Sequence, residues 1–189
     1  MSEYRRVYVP GGTYFFTVVT YQRRKIFHDP QACELLKVIW SKVIKNFPFT
    51  TNTFCLLPDH FHCVITLPQN DTNFSIRLRE IKRLFSVSFH DEKNNSLNCS
   101  RQKRSEKNIW QRRFWEHLIR DREDFANHMD YIHFNPVKHN LVSCPHLWEY
   151  SSFHRWINEG AYSKDWYCNC SRTKQDTPYF GNRYHDFGE

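Results

Sequence analysis

Two histidines alternate with a phenylalanine at the start of a predicted β-strand, in the segment LLPDHFHCVITLP. Side chains two residues apart in a strand point to the same face, so His60 and His62 are expected to lie side by side. Two neutral imidazoles at this spacing can bind a single divalent cation. The pattern is also compatible with two histidines on a solvated sheet face, and the pair alone leaves both interpretations open.

A tyrosine and an asparagine follow later in the chain, one helical turn apart. Tyr131 and Asn135 therefore share one face of a predicted helix, where they flank its expected buried stripe of Phe125, Met129 and Ile132. The amide oxygen of Asn135 is a candidate third metal ligand. The phenol of Tyr131 is a candidate nucleophile if a phosphate is held nearby. A tyrosine whose hydroxyl donates to a backbone carbonyl is the structural alternative.

The elements that position these residues follow from turn signals and hydrophobic spacing. Predicted strands cover residues 13–20, 50–57, 60–67 and 109–120, and predicted helices cover residues 30–47, 73–89 and 121–135. The third helix is expected to end near Phe134 or Asn135, because Pro136 disfavours a helical residue before it. The order β-α-β-β-α-β-α predicts an α+β, ferredoxin-like fold with an antiparallel sheet, helices on one face and a C-terminal extension.

The composition is that of a packed, basic globular protein. Aromatic residues make up 17% of the chain, which argues against a disordered or fibrous protein. The net charge of +7 suits a nucleic-acid partner, although a soluble protein that is simply basic has the same balance. No apolar run approaches the ~18 residues that a membrane span requires, so no membrane partner is expected.

Seven cysteines at irregular spacing, with no apolar signal segment at the start of the chain, predict a reduced protein of the cytoplasm. The odd number also argues against a disulfide framework. Cys168 and Cys170 form a C-x-C pair near the C-terminus. This pair is a weak signal for structural zinc, because it supplies only half of a ligand set.

Basic residues concentrate in the segment 101–113, which contains six basic residues and one acidic residue. Together with the basic face of the second helix, this segment predicts a strip that contacts phosphates. A solvated, mobile run of charge in the polar loop 90–108 is the alternative.

Several segments in the expected order carry a resemblance to a known family. They are SEYRRVYVPGGTYFFTVVT, the HFH motif, REIKRLF, IWQRRFWEHLIRDREDF and YIHFNPVKHN, and the resemblance runs over nearly the whole of residues 2–160. In these motifs the chain resembles the REP-associated tyrosine transposases, a branch of the single-tyrosine HUH transposases of bacterial insertion sequences.

The resemblance implies a metal-dependent endonuclease and strand transferase that acts on single-stranded DNA at hairpin-forming, REP-like repeats. Tyr131 would attack the scissile phosphate to give a 5′-phosphotyrosine intermediate. His60, His62 and Asn135 would hold Mg²⁺ or Mn²⁺. Asp59 is either a support for the metal site or a turn residue, and the Pro-Asp sequence favours the turn. His128 would orient the phenol or a phosphate, or be a solvated surface residue.

The same resemblance suggests how the chain is organised. Residues 1–160 would form the catalytic domain and residues 161–189 a tail with a regulatory role, in a nucleoid-associated bacterial protein. Whether it acts as a monomer or a homodimer stays open. A non-catalytic single-stranded nucleic-acid-binding module is the alternative function. The residues expected to contact DNA are Arg5, Arg6, Arg79, Lys82, Arg83, Arg101, Lys103, Arg104, Arg112 and Arg113.

Overall fold

A computed structural model describes residues 6–90 and 107–168 of the chain. The predictions for Cys170, for most of the loop 90–108 and for four of the basic residues lie outside the described residues. Those four are Arg5, Arg101, Lys103 and Arg104.

A four-stranded antiparallel sheet organises the described residues. The strands are β1 (Thr13–Val19), β2 (Thr50–Leu57), β3 (His60–Thr66) and β4 (Trp115–Leu118), in the spatial order β2-β3-β1-β4. The helices are α1 (Pro30–Asn46), α2 (Phe74–Ser88), α3 (Arg122–Lys138) and α4 (Phe153–Asn158). The predicted α+β class and antiparallel sheet are confirmed, and the order of elements is consistent with a ferredoxin-like arrangement.

Both faces of the sheet are covered by helices. Phe16 and Phe61 point into the core formed with α1 and α2, whereas Phe15 and Val64 point to the opposite face and pack with Tyr131 of α3. All helices were expected on one face, and α3 differs from that expectation. The physical reason is that β1 and β3 also carry apolar side chains on the second face, Phe15 and Val64, so that face also requires a cover.

Strand β4 is shorter than expected. The predicted strand over residues 109–120 contains only Trp115–Leu118. Ile109 and Trp110 are instead buried in the core on the α1 and α2 side, and Trp110 makes an isolated bridge with Thr20. Their apolar character therefore reflects core packing before the strand begins.

Helix α3 continues through its proline, and the prediction that it ends near Phe134 or Asn135 was wrong. Pro136 lies inside the last turn of α3, which ends at Lys138. A proline in a helix interior removes one hydrogen bond and crowds the carbonyl four residues earlier. Every residue from Tyr131 to Val137 is buried, and this packing holds the last turn in place despite that cost.

The segment after α4 packs along α3. The hydroxyl of Tyr162 donates to Asp130 at 2.6 Å, and the ring of Tyr167 lies 5.7 Å from that of Phe134. These contacts belong to the first residues of the predicted tail. The division into a catalytic domain and a regulatory tail stays a prediction.

The cysteines depart from the expectation of a fully reduced protein, because Cys144 and Cys168 are joined by a disulfide. Chain folding brings together two residues that lie 24 apart in sequence, when the segment after α4 returns along α3. Cys33, Cys55 and Cys63 are buried thiols. No helix in residues 6–90 or 107–168 has the length and apolarity to cross a membrane.

A buried arginine fixes the start of α2. Arg77 is 2% exposed and donates to the carbonyl oxygens of Pro48 and Asn73 and to a carboxylate oxygen of Asp71 at 2.7 Å. The hydrogen bond from Arg77 holds the pKa of Asp71 below its ordinary value. This contribution to stability is present above the ordinary carboxyl pKa and is lost as the pH falls through the lowered one.

Replacing Asp71 by asparagine is expected to lower the free energy of unfolding by about 1–3 kcal/mol, because the buried charge of Arg77 loses its counter-charge. Urea denaturation at neutral pH measures the change. Glu34→Gln is the matched control, since it removes an exposed pair with Lys37 and should change stability by less than about 0.5 kcal/mol. Equal effects of the two substitutions would contradict the role given to Arg77.

Candidate active site

The two histidines of β3 converge on a single point. The Nε2 atoms of His60 and His62 lie 3.1 Å apart. The Nδ1 atom of His60 is 2.6 Å from a carboxylate oxygen of Asp59, and that of His62 is 3.0 Å from the hydroxyl of Thr17. These two oxygens orient the rings so that their remaining nitrogens face each other.

Asp59 occupies the β2–β3 turn, as expected, and its side chain also supports the histidine pair. One carboxylate oxygen accepts from His60 and the other lies 3.3 Å from Arg23. Partial burial alone would raise the pKa of the Asp59 carboxyl. The hydrogen bond and charge of His60, together with Arg23, outweigh burial and hold this pKa below its ordinary value. The carboxylate therefore stays ionised at neutral pH beside His60.

Helix α3 packs the ring of Tyr131 edge to face against the ring of His62. The two rings are 5.2 Å apart, and Phe15 of β1 contacts both of them, at 6.0 Å from Tyr131 and 5.6 Å from His62. Tyr131 is only 1% exposed. The expectation that it flanks the buried stripe was therefore wrong. The helix has no solvated side at this turn, because the sheet covers one side and the segment after α4 packs along another.

Asn135 lies one turn after Tyr131 on the same helix face and is fully buried. The structure thus brings His60, His62 and Tyr131 into one cluster by direct contact. It places Asn135 on the helix face that carries Tyr131. Both histidines are buried, which excludes the alternative of a solvated sheet face.

These donors fit a divalent cation. Two nitrogens 3.1 Å apart can each lie about 2.1 Å from one ion. Binding requires that both Nδ1 atoms carry the protons, so that His60 donates to Asp59 and His62 donates to Thr17. Without a cation, the hydroxyl of Thr17 can donate to His62 instead, and His62 can donate from Nε2 to His60.

Two residues at the end of α3 also contact this cluster, and the sequence patterns did not single them out. The ammonium nitrogen of Lys138 lies 5.0 Å from the centre of the Tyr131 ring, and the ring of His139 lies 5.5 Å from that of His60. Both side chains are exposed. Lys138 is seven residues after Tyr131, hence two turns along one face. This spacing identifies it once the helix is allowed to pass Pro136.

His128 belongs to a second polar cluster beside the first. Its Nδ1 lies 2.8 Å from the backbone oxygen of Asp124 and 3.1 Å from the carboxylate of the same residue. His117 of β4 binds the other carboxylate oxygen at 2.8 Å and stacks on His128. The ring of His128 also contacts Phe15 at 4.8 Å. It is buried, which excludes the solvated alternative.

The predicted basic residues of α2 and of the segment before β4 form one surface. The ammonium group of Lys82 donates to the carbonyl oxygens of Gln111 and Arg112, at 2.6 and 3.1 Å, and so ties the helix to that segment. Glu80 binds Arg83 and lowers the local excess of positive charge. We call this surface the basic surface; its exposed arginines are Arg79, Arg83, Arg112 and Arg113.

Arg6 is held against β4. Its guanidinium lies 2.9 Å from the buried carboxylate of Glu116 and 4.5 Å from the centre of the Phe114 ring. These contacts give Arg6 a structural role in joining the N-terminal segment to the sheet. A DNA contact through this residue stays a prediction.

Comparison with known proteins gives a consistent result. A family model described as "Transposase IS200 like" matches residues 8–135, which include all four residues of the candidate site. A REP-associated tyrosine transposase of Escherichia coli strain K12 is 44% identical over 166 residues, covering 88% of this chain and 91% of that protein. A Haemophilus influenzae strain Rd protein named for the same group is 45% identical over 166 residues, covering 88% and 93%.

A solved structure is similar over nearly the whole chain. It is a REP-associated tyrosine transposase bound to a REP hairpin, with a TM-score of 0.74 and 40% sequence identity. The similarity covers 96% of this chain and 100% of the other.

His128 is expected to be neutral at neutral pH. Burial lowers its pKa below the ordinary value of 6.5, because the charged form loses its hydration, and the contacts with Asp124 only partly compensate. Two-dimensional NMR titration should give a midpoint below that of the urea-unfolded chain. Asp124→Asn should lower the midpoint further, since the carboxylate favours the charged ring. A midpoint at or above the unfolded value would contradict this assignment.

Proposed function

The chain belongs to the IS200-like transposase family, among the REP-associated tyrosine transposases, and on this premise we propose that it cleaves and rejoins single-stranded DNA at hairpin-forming repeats. Tyr131 is the nucleophile of this proposal. The observation that carries it is the convergence of the His60 and His62 nitrogens at 3.1 Å, with the Tyr131 ring packed against that of His62 at 5.2 Å.

The phenol of Tyr131 loses its proton to solvent, its oxygen attacks the scissile phosphorus, and the bond from phosphorus to the 3′ oxygen breaks. The 3′ oxygen takes up a proton from solvent, so the products are a 5′-phosphotyrosine and a free 3′ hydroxyl, which can attack the phosphotyrosine in turn to restore the strand. A phenol is a weak nucleophile until it loses its proton. Lys138, whose ammonium group lies over the ring, stabilises the negative charge that the oxygen then carries.

His60, His62 and Asn135 would hold the divalent cation. Bound there, Mg²⁺ or Mn²⁺ would act as a Lewis acid toward the phosphoryl oxygens. Mg²⁺ prefers oxygen ligands, so a site with two imidazoles favours Mn²⁺ of the two. Asp59 and Thr17 support the site by holding the two rings in the orientation that directs both Nε2 atoms to one point.

The basic surface supplies the phosphate contacts. Its four exposed arginines and Lys82 lie on two adjoining elements, and arginine presents a planar fork that matches phosphate oxygens. A hairpin DNA partner is supported by the relative that binds a REP hairpin. Arg6 would add a contact from the N-terminal segment, as would Arg5, Arg101, Lys103 and Arg104, which lie outside the described residues.

A non-catalytic DNA-binding module is the second candidate function. The basic surface alone would suffice for it. The buried pairing of a tyrosine with two oriented imidazoles has no use in a module that only binds, which favours the catalytic proposal.

Replacing Tyr131 by phenylalanine is expected to abolish the covalent protein–DNA adduct, because only the attacking oxygen is lost. The protein is incubated with Mn²⁺ and a single-stranded REP hairpin that carries its flanking nucleotides, and adducts are separated on a denaturing gel. Tyr150→Phe, at a half-buried tyrosine away from the cluster, should form the adduct at the wild-type level. A wild-type protein that shifts the hairpin on a native gel without any adduct would favour the binding module.

Thr17→Val is expected to weaken Mn²⁺ binding by about 10-fold, because His62 loses the acceptor that orients its ring. Valine has nearly the same shape, so the strand should fold as before. Isothermal titration calorimetry measures the affinity. Thr13→Val, on the same strand and face but bonded to Thr66, is the control and should leave the affinity unchanged. An unchanged affinity in Thr17→Val would remove this residue from the site.

A further inference from the structure

Three side chains of metal-ligating type meet beyond the C-terminal end of α3. Cys144 is fully buried at the start of a 3-10 turn, Pro145–Leu147, and His146 lies within that turn. Cys168 arrives from the segment that folds back along α3. A ring nitrogen of His146 and the sulfurs of both cysteines all lie within 4.8 Å of one another.

A disulfide accounts for the two cysteines but not for the histidine. The Nδ1 atom of His146 is buried and has no hydrogen-bond partner within the described parts of the chain. A buried polar atom in that state raises the free energy of the fold. A disulfide sulfur is a poor acceptor for it, whereas a metal ion held by two thiolates would bind the ring directly.

We propose that Cys144, His146 and Cys168 form a zinc site when the two cysteines are reduced, and that the ion fastens the segment 161–168 to the 3-10 turn Pro145–Leu147 that follows α3. Thiolates and imidazole are the ligands that structural zinc prefers, usually four in a tetrahedron.

The turn at Cys144 suits a thiolate. The hydroxyl of Ser143 lies 3.8 Å from the sulfur of Cys144 and can donate to it, which stabilises a charged sulfur. The other cysteines of the described residues are unsuited to this role. Burial raises the pKa of the Cys33 thiol to about 11 and raises those of Cys55 and Cys63 further. They therefore stay protonated inside the core.

The disulfide and the zinc site use the same sulfurs and exclude each other. A dithiol reductant converts the disulfide into two thiols, supplying two electrons and two protons while it becomes a disulfide itself. Each thiol then releases its proton to solvent as its sulfur binds Zn²⁺. His146 binds through a ring nitrogen that carries no proton.

Metal analysis of the full-length chain tests this proposal. The protein is expressed in a reducing cytoplasm and purified without chelators, in a His60→Ala/His62→Ala background that removes the candidate site on β3. Plasma mass spectrometry should find about one zinc per chain. Replacing Zn²⁺ by Co²⁺ in the wild-type chain should give a sulfur-to-cobalt charge-transfer band and the strong visible bands of tetrahedral cobalt.

Three substitutions in that background locate the ion. Cys144→Ser, Cys168→Ser and His146→Ala should each lose the zinc. His154→Ala, at an exposed histidine of α4, should retain it. Because His146 is only partly buried, its alanine variant should fold even if Cys144→Ser does not, and circular dichroism verifies this.

Zinc content that persists in the His146→Ala and cysteine variants would overturn the proposal. So would a wild-type chain that emerges from the reducing cytoplasm without zinc, whether its two sulfurs react with an alkylating agent as thiols or resist it as a disulfide. A cobalt spectrum without the sulfur-to-cobalt charge-transfer band would also overturn the proposal. None of these readouts depends on DNA cleavage, so they stand apart from the test of Tyr131.

Discussion

The packing of helix α3 on the second face of the sheet is the interaction on which the candidate site depends. The histidines come from a strand and the tyrosine from a helix that begins more than fifty residues later, and Phe15 of the central strand β1 contacts both. Burial of apolar area drives this packing, at about 25 cal/mol per Å² removed from water. The side chains of His60, His62 and Asn135 are buried because the apolar residues beside them are buried.

Burying two imidazoles and an amide has a cost that the surrounding residues must offset. Asp59 and Thr17 bind the outer nitrogens of the two rings, and Arg23 in turn binds Asp59. This chain of contacts fixes both rings before any ligand arrives. The contacts that offset the cost of burying the histidines therefore also direct their Nε2 atoms toward each other, so that the same hydrogen bonds serve stability and site geometry.

Period-two alternation was sufficient to place His60 and His62 on one face, and helical spacing was sufficient to pair Tyr131 with Asn135. Both patterns depend only on local backbone geometry. Their burial could not be predicted, because it depends on which helix covers which face. Pro136 is the clearest example of what local patterns cannot predict. The preference against a helical residue before proline predicts that the helix ends there, whereas the packing of the residues from Tyr131 to Val137 allows it to continue. The contact of Lys138 with the Tyr131 ring could not be predicted for the same reason, since it exists only if the helix continues past Pro136.

The burial of the candidate site constrains how the proposed DNA substrate could reach it. Tyr131 and both histidines are almost inaccessible to water, which would protect the proposed phosphotyrosine from hydrolysis but would also keep a phosphodiester out. A scissile phosphate can reach the phenol only if neighbouring groups move, and the exposed side chains of Lys138 and His139 adjoin the cluster. That movement costs free energy, which contacts elsewhere on the DNA can offset. The basic surface lies on α2 and the segment before β4, apart from the candidate site, and the phosphate contacts proposed there would supply the binding energy that opening this site requires.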